Sequence, residues 1–260
     1  MSKRLRKPPP RAAWIKRWRA FVRWTDAHSD SRWVFRGFGD DQFGLLPSIG
    51  RVASFDYVQE RNAFELFKRR CPEFIRTEGL TDIDFLGIAQ HHGAPTRLLD
   101  WTSNPLIAAY FAVSSAPGSR EAKVLLPSGR ASSKATKVTP DPQSVPARII
   151  AYPISARRKL SPSDDPFAVS QVSFCWPRTV TGRIATQGGL FSVHPEPSKP
   201  WDEPLRSEKD VFDITGEMRA FFQKRLFYLG VDAQRIMGGL DGLGQRLTWQ
   251  YVRKTGMGMV

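Results

Sequence analysis

The chain has 260 residues, 41% hydrophobic and 12% aromatic, which is enough for one sizeable core and too apolar for a disordered chain. Its formal charge is +14, from 39 Lys+Arg against 25 Asp+Glu, and no apolar run approaches the roughly 18 residues that a bilayer span needs. The two cysteines, Cys71 and Cys175, lie far apart; that excludes a disulfide framework or a Cys-rich zinc site and fits reduced thiols in a cytoplasmic protein.

The charge is concentrated at the start. Residues 1–24 hold nine basic side chains (Lys3, Arg4, Arg6, Lys7, Arg11, Lys16, Arg17, Arg19 and Arg23) and no acid. Such a block attracts polyanions, so residues 3–23 read either as a solvated tail leading into a helix or as a contact for nucleic acid or an acidic partner. The same stretch lacks the apolar segment of a secretory signal. Pro8-Pro9-Pro10 reads as extended. Residues 12–25 read as an amphipathic helix laid on a core, with Trp14, Ile15, Trp18, Phe21 and Val22 on one face and arginines opposite. A membrane-surface helix is the rival reading of that stripe.

Trp33-Val34-Phe35-Arg36-Gly37 reads as a strand ending at glycine, and Leu45-Leu46-Pro47-Ser48 as a loop. Residues 55–70 form a helix with Tyr57, Ala63, Phe64 and Phe67 inward. Residues 82–91 form another, ended by Gly93-Ala94-Pro95. An extended run follows over 96–102, and Asn104-Pro105 opens a helix through Phe111-Ala112, with proline in its first turn. The Ser-, Lys-, Pro- and Gly-rich stretch 117–146 reads as a flexible insertion with one strand, 123–126, and a mobile part from 136 to 146. Strands are expected at 148–154 and 186–193, an extended run at 169–174, a helix at 218–229 and the start of a last helical segment at 233–240. The glycines of 238–244 read as a turn. Helices and strands without strict alternation indicate an α+β fold: a split, mixed or antiparallel sheet flanked by helices. The expected organisation is a basic tail and helix over 1–28, a main domain over 29–245 and a C-terminal tail over 246–260.

The densest chemistry lies in residues 89–102, Ala-Gln-His-His-Gly-Ala-Pro-Thr-Arg-Leu-Leu-Asp-Trp-Thr, at a helix end, a turn and a strand. Rigid corners of this kind hold polar side chains in place. The bland alternative is a buried corner in which Asp100 accepts backbone amides and pairs with Arg97. His91 and His92 are adjacent, so on a helix they point about 100° apart and cannot share a metal ion as histidines four residues apart do; no metal site is expected. There is no Gly-x-Ser-x-Gly elbow, Walker sequence or Gly-x-Gly-x-x-Gly. Arg36 at a strand end before Gly37 can reach a phosphate or carboxylate, or pair structurally with an acid such as Asp100. Gln187-Gly188-Gly189-Leu190-Phe191 adds an amide at a strand start.

These stretches resemble the FRG domain, a family of bacterial and phage proteins named for Phe-Arg-Gly. Phe35-Arg36-Gly37 supplies the triplet, Leu46-Pro47-Ser48-Ile49-Gly50-Arg51 looks like the second block, and residues 89–102 with Asn104-Pro105-Leu106-Ile107-Ala108 look like the most specific block. Gln187–Ser192 and the Leu-Gly-Val of 226–231 look like the late strand and closing helix, so the resemblance spans about 33–243. A weaker resemblance, in the order of parts, is to the ADP-ribosyltransferases. It implies an ADP-ribosyltransferase-like fold, NAD as substrate, and transferase or NAD glycohydrolase activity on a protein or nucleic-acid acceptor, in a bacterial defence or toxin setting. The resemblance makes Arg36 the pyrophosphate ligand, Thr102 and Ser103 the brace for the nicotinamide ribose, and Gln187 the occupant of the glutamate position. Gly37, His91, His92 and Arg97 complete the expected binding set. Because Gln187 is neutral, either Asp100 or Glu60 supplies the carboxylate, Asp100 by preference, or the site binds without turnover. A non-catalytic nucleotide- or partner-binding module and a nucleic-acid-associated protein stand as alternatives.

Overall fold

The computed structural model describes residues 11–118, 120–125, 131–178 and 188–256. Its centre is a six-stranded sheet in the order β6-β7-β2-β1-β5-β8. The strands are β1 (Trp33–Phe38), β2 (Leu98–Thr102), β5 (Ala147–Pro153), β6 (Ser173–Cys175), β7 (Gly189–Val193) and β8 (Val211–Ile214), and every ladder between them is antiparallel. A separate hairpin, β3 (Arg120–Leu125) with β4 (Ala131–Val138), stands outside the sheet. The α+β class is as expected, and the sheet is antiparallel rather than mixed. The helices are α1 (Arg11–Ala27), α2 (Tyr57–Arg70), α3 (Asp82–His91), α4 (Pro105–Ser114), α5 (Arg219–Tyr228), α6 (Ala233–Met237) and α7 (Gly239–Arg253).

Strand periodicity sorts the core into two faces. On one face Phe35, Ile149, Ala151, Phe212 and Ile214 meet α1, α4 and α5, while Leu98, Phe191 and Val193 meet α2 and α3. The opposite face carries Val34, Phe38, Leu99, Trp101, Ile150, Tyr152, Phe174 and Leu190. Loops cover it through Leu45, Ile154, Val172 and Trp201. Thus α3 and α4 ride side by side on one face, over neighbouring strands. Both start with strong local signals. Thr81 and Asp84 form a reciprocal capping box before α3, and the Asn104 carboxamide accepts the Leu106 N–H ahead of α4, whose first residue is Pro105.

Several expectations shift. In α1 the buried stripe runs through Trp18, Phe21 and Trp24 to His28, while Val22 is 41% exposed. In α2 the inward positions are Glu60, Phe64 and Phe67, followed by Cys71, while Ala63 is exposed and Tyr57 is 49% exposed. Residues 131–138 form a strand paired with β3, so the part of the expected mobile stretch at 136–138 belongs to a ladder. The glycines at 239–244 lie inside α7, which runs on to Arg253. Gly242 is buried there, and a Cβ at this position would lie 2.8 Å from the Ala233 carbonyl oxygen, too close to be accommodated.

Helix α1 is part of the core, not a detachable arm. Its Trp18 ring lies 5.1 Å from Phe222, and the Arg17 Nε donates to the Asp213 carbonyl of edge strand β8 at 3.1 Å. Phe21 is wholly buried among Trp18, Trp24, Phe212 and Phe222. Phe21→Ala should therefore cost about 3–5 kcal/mol in urea unfolding. A cost under about 1 kcal/mol would mean that α1 is dispensable to the core.

Candidate functional site

The Phe-Arg-Gly triplet divides its work by strand geometry. Phe35 points to the helix-bearing face and is buried in the core. Gly37 points the same way, where a Cβ would lie 1.9 Å from the Ala108 carbonyl oxygen, so only glycine lets α4 rest on β1. Arg36 alternates to the other face, between Val34 and Phe38, with its guanidinium carbon 5.3 Å from the centre of the Phe38 ring.

Strand β1 pairs with β5 along its whole length, from Trp33↔Pro153 to Phe38↔Arg148, but with β2 only at Phe35↔Thr102. Beyond that pair the two central strands part. Arg36 spans the opening: its Nη1 donates to the Asp100 carbonyl and lies 3.7 Å from the Asp100 carboxylate. Its side chain is 16% exposed, whereas that of Asp100 is 66% exposed. Burial pushes the Arg36 guanidinium below the usual arginine value; Asp100 offsets this and nearby Arg51 adds to it. The group remains a cation at neutral pH.

Above the opening lies a cleft of about 370 Å³ between α3 and α4. Arg36, Gly37, Asp100, Trp101 and Thr102 line its floor with Gly189 and Leu190. Gly87, Gln90 and His91 form the α3 wall, Ala108, Phe111 and Ser115 the α4 wall, and Phe191 completes it. A Cβ at Gly87 would sit 2.9 Å from the Phe191 ring, so this glycine too permits a close contact at the wall.

A hydrogen-bonded chain fixes the carboxylate. Gln90 Nε2 donates to Asp100 Oδ1 at 2.8 Å, and the Thr96 hydroxyl donates to Gln90 Oε1. Thr96 N–H in turn donates to Ser48 Oγ at 3.0 Å, and Ile49 N–H to the Thr96 carbonyl at 3.1 Å. The Leu-Pro-Ser-Ile-Gly-Arg segment thus clamps the corner that presents Asp100. Arg51 folds back on the same segment, donating to the Leu46 carbonyl at 2.8 Å. Thr102 Oγ1 accepts the Asn104 N–H at 3.0 Å, which turns the chain from β2 into α4.

Of the residues the sequence singled out, the structure brings Arg36, Gly37, His91, Asp100 and Thr102 into this one cleft. His92 caps α3 outside the lining, its ring edge-on to His91 at 5.1 Å. Ser103 is exposed outside the lining, close to Gly188, whose Cβ position is 2.8 Å from Ser103 Oγ. Gln187 lies outside the described residues. Arg97 turns to Glu60 instead of Asp100: its Nε donates to Oε1 at 2.9 Å and its Nη2 to Oε2, with both side chains nearly inaccessible. Its guanidinium also stacks 4.5 Å from the Phe167 ring centre. Neither Arg97 nor Glu60 lines the cleft.

Sequence reasoning missed the Gln90 tether and the walls at Phe111 and Phe191. It also missed a buried relay beneath the floor. Trp101 Nε1 donates to Ser192 Oγ at 2.9 Å, leaving the Ser192 hydroxyl hydrogen for His194 Nε2, also at 2.9 Å. An accepting Nε2 belongs to a neutral imidazole. Consistently, His194 is pushed down to about 3, first by burial and then by the charges of Arg36 and Arg97.

Against known families, the FRG domain model matches residues 31–121, and the chain carries an FRG domain there. The match takes in the Phe-Arg-Gly triplet, the Leu-Pro-Ser block and residues 89–102. No curated protein and no solved structure matches the chain.

Two outcomes follow from the buried groups. Glu60→Ala should cost about 3–5 kcal/mol by leaving Arg97 charged and unpaired, whereas the double change Glu60→Leu with Arg97→Met should recover most of it. An Arg97→Met variant of unchanged stability would contradict the structural assignment of the pair. For His194, the folded value lies below the unfolded one of about 6.5, so the unfolded chain binds the extra proton. Its contribution is full above that value and fades as pH falls towards about 3. Urea midpoints should drop between about pH 6.5 and 4, less steeply in His194→Gln; equal slopes in the two proteins would contradict this.

Proposed function

We propose that the FRG-domain cleft binds an NAD-class dinucleotide, and that the protein is an ADP-ribosyltransferase or NAD glycohydrolase acting as a bacterial defence or toxin effector. The carrying observation is that a guanidinium, a hydroxyl and a solvent-facing carboxylate converge where the two central strands part: Arg36, Thr102 and Asp100. Arg36 would face the pyrophosphate, which suits a cation held in a fixed place. The rings of Phe111 and Phe191 offer apolar walls for the nicotinamide, and in this reading Thr102, on the cleft floor, would meet a ribose hydroxyl.

In this reading the bond from ribose C1′ to the pyridinium nitrogen breaks, and its electron pair goes to the nitrogen, so nicotinamide leaves neutral. Water or an acceptor nucleophile bonds to C1′ and loses a proton to solvent. The Asp100 carboxylate stabilises the positive charge that develops on the ribose. The Gln90 bond to Oδ1 leaves Oδ2 as the oxygen turned towards Arg36 and the opening.

One observation favours the second reading, a module that binds the nucleotide without turnover. Asp100 is already partly neutralised by Arg36 at 3.7 Å and by its hydrogen bond from Gln90, which lessens its effect on a developing cation. Incubation with nicotinamide-labelled NAD separates the two. Release of free nicotinamide is expected, abolished in Arg36→Ala and reduced about 10²–10³-fold in Asp100→Asn. Binding of NAD with no release would support the module, and neither binding nor release from folded protein would sink both readings.

A further inference from the structure

We infer that the outward face of α1 is a binding surface for the phosphodiester backbone of nucleic acid, separate from the cleft and independent of what the cleft does. The inward face of this helix is already used. Trp18 and Phe21 pack in the core, Trp24 Nε1 donates to the Lys209 carbonyl at 2.9 Å, and Arg17 is drawn in over the Phe212 ring at 3.9 Å. What remains outside is Lys16, Arg19 and Arg23, all exposed, with Arg11 at the helix start. At 1.5 Å per residue the three span about 10 Å along one side of the helix. Among the described residues, none of these three is paired with a carboxylate. Lys3, Arg4, Arg6 and Lys7 precede them in the sequence.

Two features point to an external polyanion. First, α1 has no acidic residue in its first turn but begins with Arg11 and carries four further cations as far as Arg23. Positive charge near a helix N-terminus opposes the helix dipole, and an external phosphate relieves that conflict. Second, six of the nine cations in residues 1–24 are arginines, the side chain whose planar fork suits phosphate oxygens. A bilayer is the poorer fit, because the apolar stripe of α1 is covered by the protein itself. The surface lies by β8, two strands from β1 in the sheet, so changes there leave the cleft lining untouched.

The test is fluorescence anisotropy of the full chain with a short duplex DNA and an RNA of matched sequence, between about 50 and 200 mM salt. Vesicles containing phosphatidylserine serve as the rival anionic surface. Binding to at least one nucleic acid, falling steeply with salt, is expected. The triple variant Lys16→Gln, Arg19→Gln, Arg23→Gln should bind roughly tenfold or more weakly, with a slope against log salt shallower by about 2 to 3. Its thermal midpoint should match the parent; if it does not, the single variants Arg19→Gln and Arg23→Gln must each weaken binding and reduce the slope. Unchanged affinity in these variants, salt-insensitive binding, or capture by vesicles without nucleic-acid binding would each overturn the inference.

Discussion

Arg36 occupies the place where two central strands of a sheet stop pairing. A ladder that continued beyond Phe35↔Thr102 would give the Asp100 carbonyl a backbone partner and close the sheet. Instead a guanidinium takes that carbonyl, and the strands are free to separate under α3 and α4. The cleft exists because a side chain does the work of a backbone amide. The cost is a cation held in a largely buried position, answered on its exposed side by Asp100.

The neighbouring sequence reads as support for that opening. Gly37 and Gly87 allow close contacts on the two flanks, with the α4 backbone and the Phe191 ring, where any side chain would collide. The Ser48–Thr96–Gln90–Asp100 chain holds the carboxylate on a corner whose backbone is pinned at both ends. Beneath, the Trp101–Ser192–His194 relay keeps the floor packed around a neutral imidazole. The charges that meet at the opening are the Arg36 guanidinium and the exposed Asp100 carboxylate, with Arg51 nearby. The Arg97–Glu60 pair lies apart, buried on the α2 side, where it ties that helix to the start of β2.

Much of this frame was legible because its signals are local. The Gly93-Ala94-Pro95 stop marked the end of α3 and Asn104-Pro105 the start of α4, and the corner between them named Asp100 and Thr102 as neighbours. The exchange of partners was not legible: Arg97 meets Glu60 across 37 positions, and the periodicity of α2 held the only hint, a glutamate sharing the inward spacing of Phe64 and Phe67. Strand β8 is only four residues long and has an aspartate in its middle, so it lacked a clear pattern until Arg148 was seen to pair with Asp213 across the ladder. The glycines of α7 argued for a turn, but Gly242 is there for a tight contact with α6, a tertiary reason that overrides propensity.

The central claim, that the Arg36 fork both spans the seam and offers a site for a pyrophosphate, is tested most directly by calorimetric titration of ADP-ribose into the parent protein and Arg36→Lys. Lysine keeps the charge but loses the planar fork. The account predicts saturable one-to-one binding to the parent, and loss of that binding in the variant with little change in its unfolding midpoint. Equal binding by the two proteins, or a variant that unfolds before it can be titrated while the parent binds nothing, would contradict it.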